Sequence, residues 1–284
     1  MKRGTRLAVG FFDGVHIGHR KILSGADAVL TFANHPLSVL DGSHRPVLLM
    51  DADERLSMLR TEGTDRPRAV QAVEFTRAFA AQSPESFAAF LRRRYPGLEC
   101  IRCGGNWRFG ANGSGTPATL RALGFRVKVC RYAVYKGERV SSTRIRAALH
   151  QGALDDAAAM LGRPYSVSGA IRTGKGIGRS LGAPTLNLAV PELPLGTGVY
   201  AVDTSMGPGV ANYGVAPTMG ARAWPEPMLE VHLFGGAVPA EGALRVGFRT
   251  FIRAERSFPS REALAMRIAE DIAEARRTLM KPVP

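Results

Sequence analysis

The chain has 284 residues, 45% of them hydrophobic and 22% charged, which is typical of a globular protein with length for two domains of ordinary size. It has no apolar run long enough to span a bilayer and no secretory signal core after Met1, so we expect a cytoplasmic protein with no membrane partner. Three cysteines are too few for a disulfide framework, and the Cys100–Cys103 pair lacks the second pair that a zinc site needs.

The formal net charge of +14 favours polyanionic partners in general. The basic residues are spread along the chain, however, and the densest cluster is Arg92–Arg94. Because there is no basic tail and no aromatic platform among basic residues, nucleic acid is not an expected partner. We interpret the charge as a solvated surface and as attraction for ATP. The sequence does not predict the oligomeric state.

The first half of the chain alternates strand-like and helix-like segments. Strands are predicted at Leu7–Val9, Val29–Phe32, Val70–Phe75, Glu99–Cys103 and Arg126–Cys130, and helices at Asp51–Arg60 and from Ser83 onward. This rhythm predicts an α/β fold with a doubly wound parallel sheet. Ligands of such sheets collect beyond the carboxyl ends of the strands.

A glycine-rich turn follows the first predicted strand and ends in two histidines. Gly10 and Gly14 permit a tight turn around Phe12, and these three residues are candidates for binding the nucleotide. His16 and His19 come where a helix would begin. Free backbone N–H groups at a helix start favour a phosphate, and histidines there can donate hydrogen bonds to phosphoryl oxygens. The alternative is a structural turn followed by surface histidines.

A second polar segment opens the helices predicted over residues 143–161, which Gly152 interrupts. The hydroxyls of Ser142 and Thr143 and the guanidinium of Arg146 are suited to holding a triphosphate. The alternative is a plain helix N-cap.

From about Tyr165 the helix signal gives way to short β segments between turns rich in Gly and Pro. The segments are Ser166–Arg172, Gly198–Asp203, Gly209–Val215, Leu229–Phe234 and Leu244–Arg253. This pattern is typical of an antiparallel barrel or sandwich, and a closing helix is predicted from the N-cap Ser260.

The β-rich half also carries a glycine string that ends in two polar residues. Its phosphate-binding candidates are Gly174, Lys175, Gly176, Gly178 and Arg179. Thr185 and Asn187 lie two apart on a predicted strand, so both face the same way and could complete the coordination of a phosphate-bound Mg²⁺. The alternative is a flexible surface loop.

The motifs of both halves resemble one family. The run from Phe12 to His19, together with Val140–Arg146, resembles the nucleotidyltransferases that adenylylate FMN. The string Gly178–Asn187 resembles the Gly-Arg-x-x-Gly-x-Pro-Thr-x-Asn motif of riboflavin kinases. The chain as a whole, from about Leu7 to Thr278, is similar to the bifunctional bacterial riboflavin kinases and FAD synthetases.

This resemblance implies a nucleotidyltransferase-like (Rossmann-like) FAD synthetase domain at 1–158 and a β-barrel riboflavin kinase domain at 159–284. It implies riboflavin, FMN and ATP as substrates, with Mg²⁺ accompanying ATP. It makes Glu230 the general base of the kinase and Asn106 a catalytic candidate for adenylyl transfer beside His16 and His19. By the same resemblance Arg253 joins the cofactor-binding residues.

Three departures from the family pattern keep other functions open. Phe11 stands where the family usually has Asn, Asn34 stands where it has Pro, and only nine residues, His19 to Asp27, are available for the first crossover helix. One alternative is a riboflavin kinase whose adenylyltransferase domain is weak or inactive. Another is a non-catalytic protein that binds flavin or RNA.

Overall fold

The computed structural model describes residues 4–41, 46–64, 68–172, 184–214, 228–235 and 241–280. Contacts between residues divide the chain into two compact units, Met1–Ser142 and Thr143–Pro284. This division differs from the predicted boundary between residues 158 and 159, which stays a prediction about the functional domains.

The first unit contains a five-stranded sheet with helices on both faces. Its strands are β1 (Thr5–Val9), β2 (Ala28–Phe32), β3 (Ala69–Val73), β4 (Leu98–Gly104) and β5 (Val127–Cys130). Its helices are α1 (Ile17–Leu23), α2 (Leu37–Leu40), α3 (Ala52–Thr61), α4 (Arg77–Ala80), α5 (Pro84–Arg94) and α6 (Pro117–Ala122). A hairpin of β6 (Val134–Tyr135) and β7 (Glu138–Arg139) follows.

The two faces of the sheet bury separate apolar clusters. Leu7 and Val9 pack with Phe87 of α5, whereas Ala8, which points the other way, packs with Leu59 of α3. All strand pairs in the order β3-β2-β1-β4-β5 are parallel. The predicted doubly wound α/β fold is therefore confirmed, and its topological switch point lies between β1 and β4.

The first crossover helix is short, and a buried arginine caps it. Helix α1 has only seven residues. Arg102 of β4 is 8% exposed, and its guanidinium donates to the carbonyl oxygens of Ile22 at 2.8 Å and Lys21 at 3.1 Å. These are carbonyls that the end of a helix leaves without backbone partners. The neighbouring strand thus supplies the support that the short sequence between His19 and Asp27 lacks.

Arg102→Met should destabilise the first unit by about 2 kcal/mol, because two charge-assisted hydrogen bonds are lost while the apolar stem is kept. Urea unfolding followed by Trp107 fluorescence, in a Trp224→Phe background, measures this change. Arg121→Met is the matched control, since its exposed guanidinium donates to Val127 at 3.2 Å. Equal effects of the two substitutions would contradict a special role for the cap on α1.

The second unit is a closed antiparallel barrel. Helices α7 (Ser142–His150) and α8 (Leu154–Leu161) lead into it. The strands are β8 (Ser166–Arg172), β9 (Leu186–Ala189), β10 (Gly198–Thr204), β11 (Gly207–Gly214), β12 (Met228–Leu233) and β13 (Ala243–Ala254). They close in the order β10-β11-β12-β9-β8-β13, which confirms the predicted barrel.

Helix α9 (Arg261–Leu279) covers part of the outer wall. Its N-cap is Ser260, as predicted, whose hydroxyl accepts from Ala263 N at 3.2 Å. Ala275 of α9 packs with Val199 and Val210 of the wall. No helix in the described part of the chain is long and apolar enough to cross a membrane.

Candidate active sites

The turn after β1 is a strained stretch of backbone fixed by buried polar contacts. Phe12 adopts a left-handed conformation with φ 63°, and Gly14 follows with φ 79°. The Phe12 ring is 2% exposed and packs against Gly10. Asp13 Oδ1 accepts from Leu49 N at 2.9 Å, and Ser142 Oγ donates to the Asp13 carbonyl at 3.0 Å. The burial of Phe12 and these bonds offset a backbone strain of about 1–2 kcal/mol.

His16 is the N-cap of α1, and Gly18 makes room for it. Its Nδ1 accepts from Gly18 N at 3.1 Å and from His19 N at 3.2 Å. A Cβ at position 18 would lie 3.0 Å from His16 Cε1, so glycine between the two histidines lets the imidazole fold over the helix start. Because Nδ1 accepts from these two N–H groups, the imidazole carries its proton on Nε2.

This geometry corrects one expectation from the sequence. We predicted that free backbone N–H groups at the start of α1 would bind a phosphate. The N–H groups of Gly18 and His19 already donate to His16, so they are not free for an anion. That the imidazole of His16 donates to a phosphate stays a prediction.

His19 stacks on His16 and is held neutral. The ring centroids are 3.5 Å apart with an interplanar angle of 17°. Burial lowers the pKa of His19 well below its ordinary value of 6.5, and the proximity of His16 lowers it further. His19 therefore resists protonation.

The depressed pKa predicts that the first unit loses stability in mild acid. Below pH 6.5 the unfolded His19 binds a proton that the folded form excludes, so the stability present above this pH falls as the pH decreases. We expect a loss of about 1 kcal/mol between pH 6.5 and 5.5, measured by urea unfolding. His19→Gln should remove this component, and an unchanged pH slope in that variant would contradict the assignment.

Asn106 lies on the other side of the switch point. It follows β4 directly, in a turn with Gly105, while His16 and His19 follow β1. Because β1 and β4 are parallel neighbours, both segments lie at the carboxyl edge of the sheet. Tyr132 packs over Gly105, and Asn106 itself is exposed.

Ser142 also lies at this edge of the sheet, because its hydroxyl donates to the Asp13 carbonyl. Thr143 and Arg146 follow on α7, and their contacts with a triphosphate stay predictions.

A second polar site lies on the outer wall of the barrel. Glu230 of β12 is paired with Asn212 of β11 on one side and with Asn187 of β9 on the other. Directly opposite residues on adjacent strands point to the same face. Leu229 and Val231, the chain neighbours of Glu230, are fully buried in the barrel interior. Glu230 therefore points away from the barrel core, as predicted.

Burial and a second carboxylate both raise the pKa of Glu230. Burial raises the pKa of Glu230 above its ordinary value, and the charge of Glu255 raises it further. The Glu255 carboxylate lies against Gly214, where any larger residue would displace it. Raising the pKa of a carboxylate makes it a stronger base, which suits a group that removes a proton from a hydroxyl near neutral pH.

The same face offers oxygen ligands for a divalent cation. Asn187 is 7% exposed, and its buried Oδ1 has no hydrogen-bond partner among the described residues. Thr185 precedes β9 by one residue, two positions from Asn187. An amide oxygen and a hydroxyl suit Mg²⁺. The orphaned Oδ1 therefore fits the predicted Thr185–Asn187 metal site, which stays a prediction.

Arg253 is engaged with the closing helix. Its Nη2 donates to Asp271 Oδ2 at 2.7 Å, and its Nε donates to Asp271 Oδ1 at 3.0 Å. The Asp271 side chain is 4% exposed, so this ion pair is buried between β13 and α9. Arg253 thus fixes the helix to the wall, and its predicted contact with a cofactor is untested.

The glycine string lies outside the described residues. This applies to Gly174, Lys175, Gly176, Gly178 and Arg179, whose phosphate contacts remain predictions. Conversely, sequence reasoning assigned no role to Asn212, Glu255 or Gly18. For Gly18, the sequence signal was its place between the two histidines.

The α/β unit with paired histidines and the barrel with its Glu230 row together define a two-domain enzyme that uses nucleotides. Residues 1–144 match the FAD synthetase family and residues 161–279 match the riboflavin kinase family. The chain belongs to the bifunctional riboflavin kinase/FMN adenylyltransferase family. A relative of that name from Escherichia coli (strain K12) is 34% identical, with 97% of this chain and 93% of the relative covered.

Other comparisons agree. The relative of the same name from Bacillus subtilis (strain 168) is 30% identical, with 95% of this chain and 91% of the relative covered. A crystal structure described as a macrolide-efflux protein from Streptococcus pneumoniae has a TM-score of 0.82 at 24% identity and covers 99% of this chain. The solved structure supports the fold alone.

Proposed function

We propose that this chain carries out two consecutive steps of flavin cofactor synthesis. The C-terminal domain transfers the γ-phosphoryl group of ATP to riboflavin, giving FMN. The N-terminal domain joins FMN to the adenylyl group of a second ATP, giving FAD and pyrophosphate. The observation that carries the proposal is that residues 1–144 match the FAD synthetase family and residues 161–279 match the riboflavin kinase family.

In the adenylyltransferase, an oxygen of the FMN phosphate attacks the α-phosphorus of ATP, and the bond to the departing pyrophosphate breaks. Negative charge grows on the leaving oxygens during this step. We assign to His16 Nε2–H the donation of a hydrogen bond to such an oxygen; the acceptor role of Nδ1 at the helix start supports this assignment. The neutral His19 stacks beside it without adding a competing charge.

In the kinase, Glu230 accepts the proton of the terminal ribityl hydroxyl as that oxygen attacks the γ-phosphorus, and the bond from the γ-phosphorus to the departing ADP breaks. Asn187 and Thr185 would hold the Mg²⁺ of MgATP, which when bound neutralises phosphate charge. Asn212 flanks Glu230 on the next strand.

A two-stage assay tests the proposal. The purified chain is incubated with riboflavin, ATP and Mg²⁺, and separately with FMN, ATP and Mg²⁺, and flavins and pyrophosphate are quantified. We expect FMN and then FAD in the first mixture and FAD with equimolar pyrophosphate in the second. FMN without FAD would identify a kinase alone, and no turnover of riboflavin would identify a binding protein. Replacing Mg²⁺ by Ca²⁺, or removing it with a chelator, tests whether the two reactions require Mg²⁺.

A further inference from the structure

Arg55 of α3 is a buried cation at the edge of the sheet that carries the histidines. Its side chain is 1% exposed. Its Nη1 donates to the Phe11 carbonyl and to Thr31 Oγ1, both at 2.9 Å, and its Nη2 donates to the Phe32 carbonyl at 2.9 Å. These acceptors belong to the carboxyl ends of β1 and β2.

The contacts of Arg55 close a small network around Phe11. Thr31 Oγ1, which accepts from Arg55, donates in turn to the Phe11 carbonyl at 3.1 Å. The Arg55 Cζ lies 4.1 Å from the centroid of the Phe11 ring. The Phe11 ring also makes a T-shaped contact with His35, with ring centroids 4.5 Å apart and an interplanar angle of 79°. One side chain thus links the turn that leads to His16 with the loop after β2.

Burying a cation such as Arg55 has a large cost in free energy. Removing a guanidinium from water costs several kcal/mol, and burial lowers the pKa of Arg55, which the nearby Asp13 partly opposes. An apolar side chain would fill the same volume without that cost. An apolar side chain could not donate hydrogen bonds to three acceptors and also contact the Phe11 ring, as the planar guanidinium does.

We propose that Arg55 is a positioning residue for adenylyl transfer, which fixes the turn at Phe11 and the His35 loop and thereby aligns His16 with the reacting phosphates. This inference rests on the proposed adenylyltransferase function. It also gives Phe11 a role, since the ring that replaces the usual Asn forms the contact with Arg55 and His35.

The test compares Arg55→Met and Arg55→Lys with a matched control. Arg68 is also a buried arginine of this unit, 4% exposed, and it donates to the carbonyls of Leu59 at 3.2 Å and Glu62 at 2.8 Å. These carbonyls lie at the far end of α3, so Arg68→Met removes a similar cation without touching the Phe11 turn. The riboflavin kinase activity of each protein is an internal control.

For Arg55→Met we expect turnover of FMN to FAD to fall on the order of 100-fold with little change in the KM for ATP, because a small misplacement of reacting groups lowers the rate by that factor. Arg55→Lys should retain part of the turnover of FMN to FAD that Arg55→Met loses. Arg68→Met should keep the turnover of the folded protein, and FMN formation should be unchanged in all three.

Phe11→Leu provides a second variant that keeps the hydrogen bonds of Arg55. We expect its turnover to fall about three- to tenfold through loss of the cation–π contact, with the fold intact by circular dichroism. Folded Arg55→Met or Phe11→Leu with full turnover would overturn the inference. So would parallel losses in Arg55→Met and Arg68→Met that follow loss of folded protein. If the unaltered chain makes no FAD from FMN, the proposed function fails, and the inference fails with it.

Discussion

Replacing Glu230 by Gln should lower FMN formation from riboflavin by about 100- to 10,000-fold while FAD formation from FMN continues at the rate of the unaltered protein. Gln has almost the shape of Glu but cannot accept the proton of the ribityl hydroxyl. The barrel should tolerate the change, because Glu230 lies on the outer wall and Leu229 and Val231 supply the buried side of β12. The fall should appear in kcat rather than in the binding of riboflavin.

The matched control is Asp203→Asn. Asp203 is a carboxylate of the same barrel that lies at the hairpin end of β10, opposite Pro208, and its partner is Arg249 at 3.3 Å. It is remote from the row of Glu230, so both activities should persist. Steady-state assays with riboflavin and with FMN measure the two steps separately. Equal loss of both steps in Glu230→Gln would show that the assignment of activities to domains is wrong.

Local patterns were sufficient to predict most of the strands and several helix ends. Ser166–Arg172 was predicted with the bounds that the structure shows, because its flanking turn residues are clear. The caps at Asp51 and Ser83 are confirmed by hydrogen bonds to Glu54 N at 2.7 Å and Ser86 N at 3.2 Å. Such signals involve residues a few positions apart, which a sequence displays directly.

Short elements carry too little pattern to be recognised. Helices α2 and α4 have four residues each, and α6 has six, which is less than two turns. Thr185 was predicted within a strand, and β9 begins one residue later, at Leu186. An error of this size is ordinary at the ends of elements.

The contacts that shape the sites join residues far apart in the chain. Arg55 reaches Phe11 across 44 positions, and Arg102 reaches Ile22 across 80. No local period or cap signals such a pair, because the partners meet only when the parallel strands are in register. Local motifs therefore indicate both candidate sites, whose roles stay predictions. They do not indicate the buried cations Arg55 and Arg102 or the Glu255 carboxylate that raises the pKa of Glu230.

The paired roles of His16 make its substitution the sharpest test of the first site. His16 caps α1 through Nδ1, and we propose that its Nε2 donates to the substrate; two variants separate these two functions. Asn is a good N-cap without the imidazole donor, so His16→Asn should keep the helix and lose only the donor. His16→Ala should lose both.

We expect FAD formation to fall about 100- to 1,000-fold in His16→Asn and in His16→Ala, since the loss of one hydrogen bond to a developing oxyanion has that effect. Only His16→Ala should also destabilise the first unit, by about 1 kcal/mol, which urea unfolding detects. FMN formation should be unchanged in both. Unaltered FAD synthesis in His16→Asn would mean that the imidazole serves the helix alone, and that the donor to the phosphates must be sought elsewhere at the edge between β1 and β4.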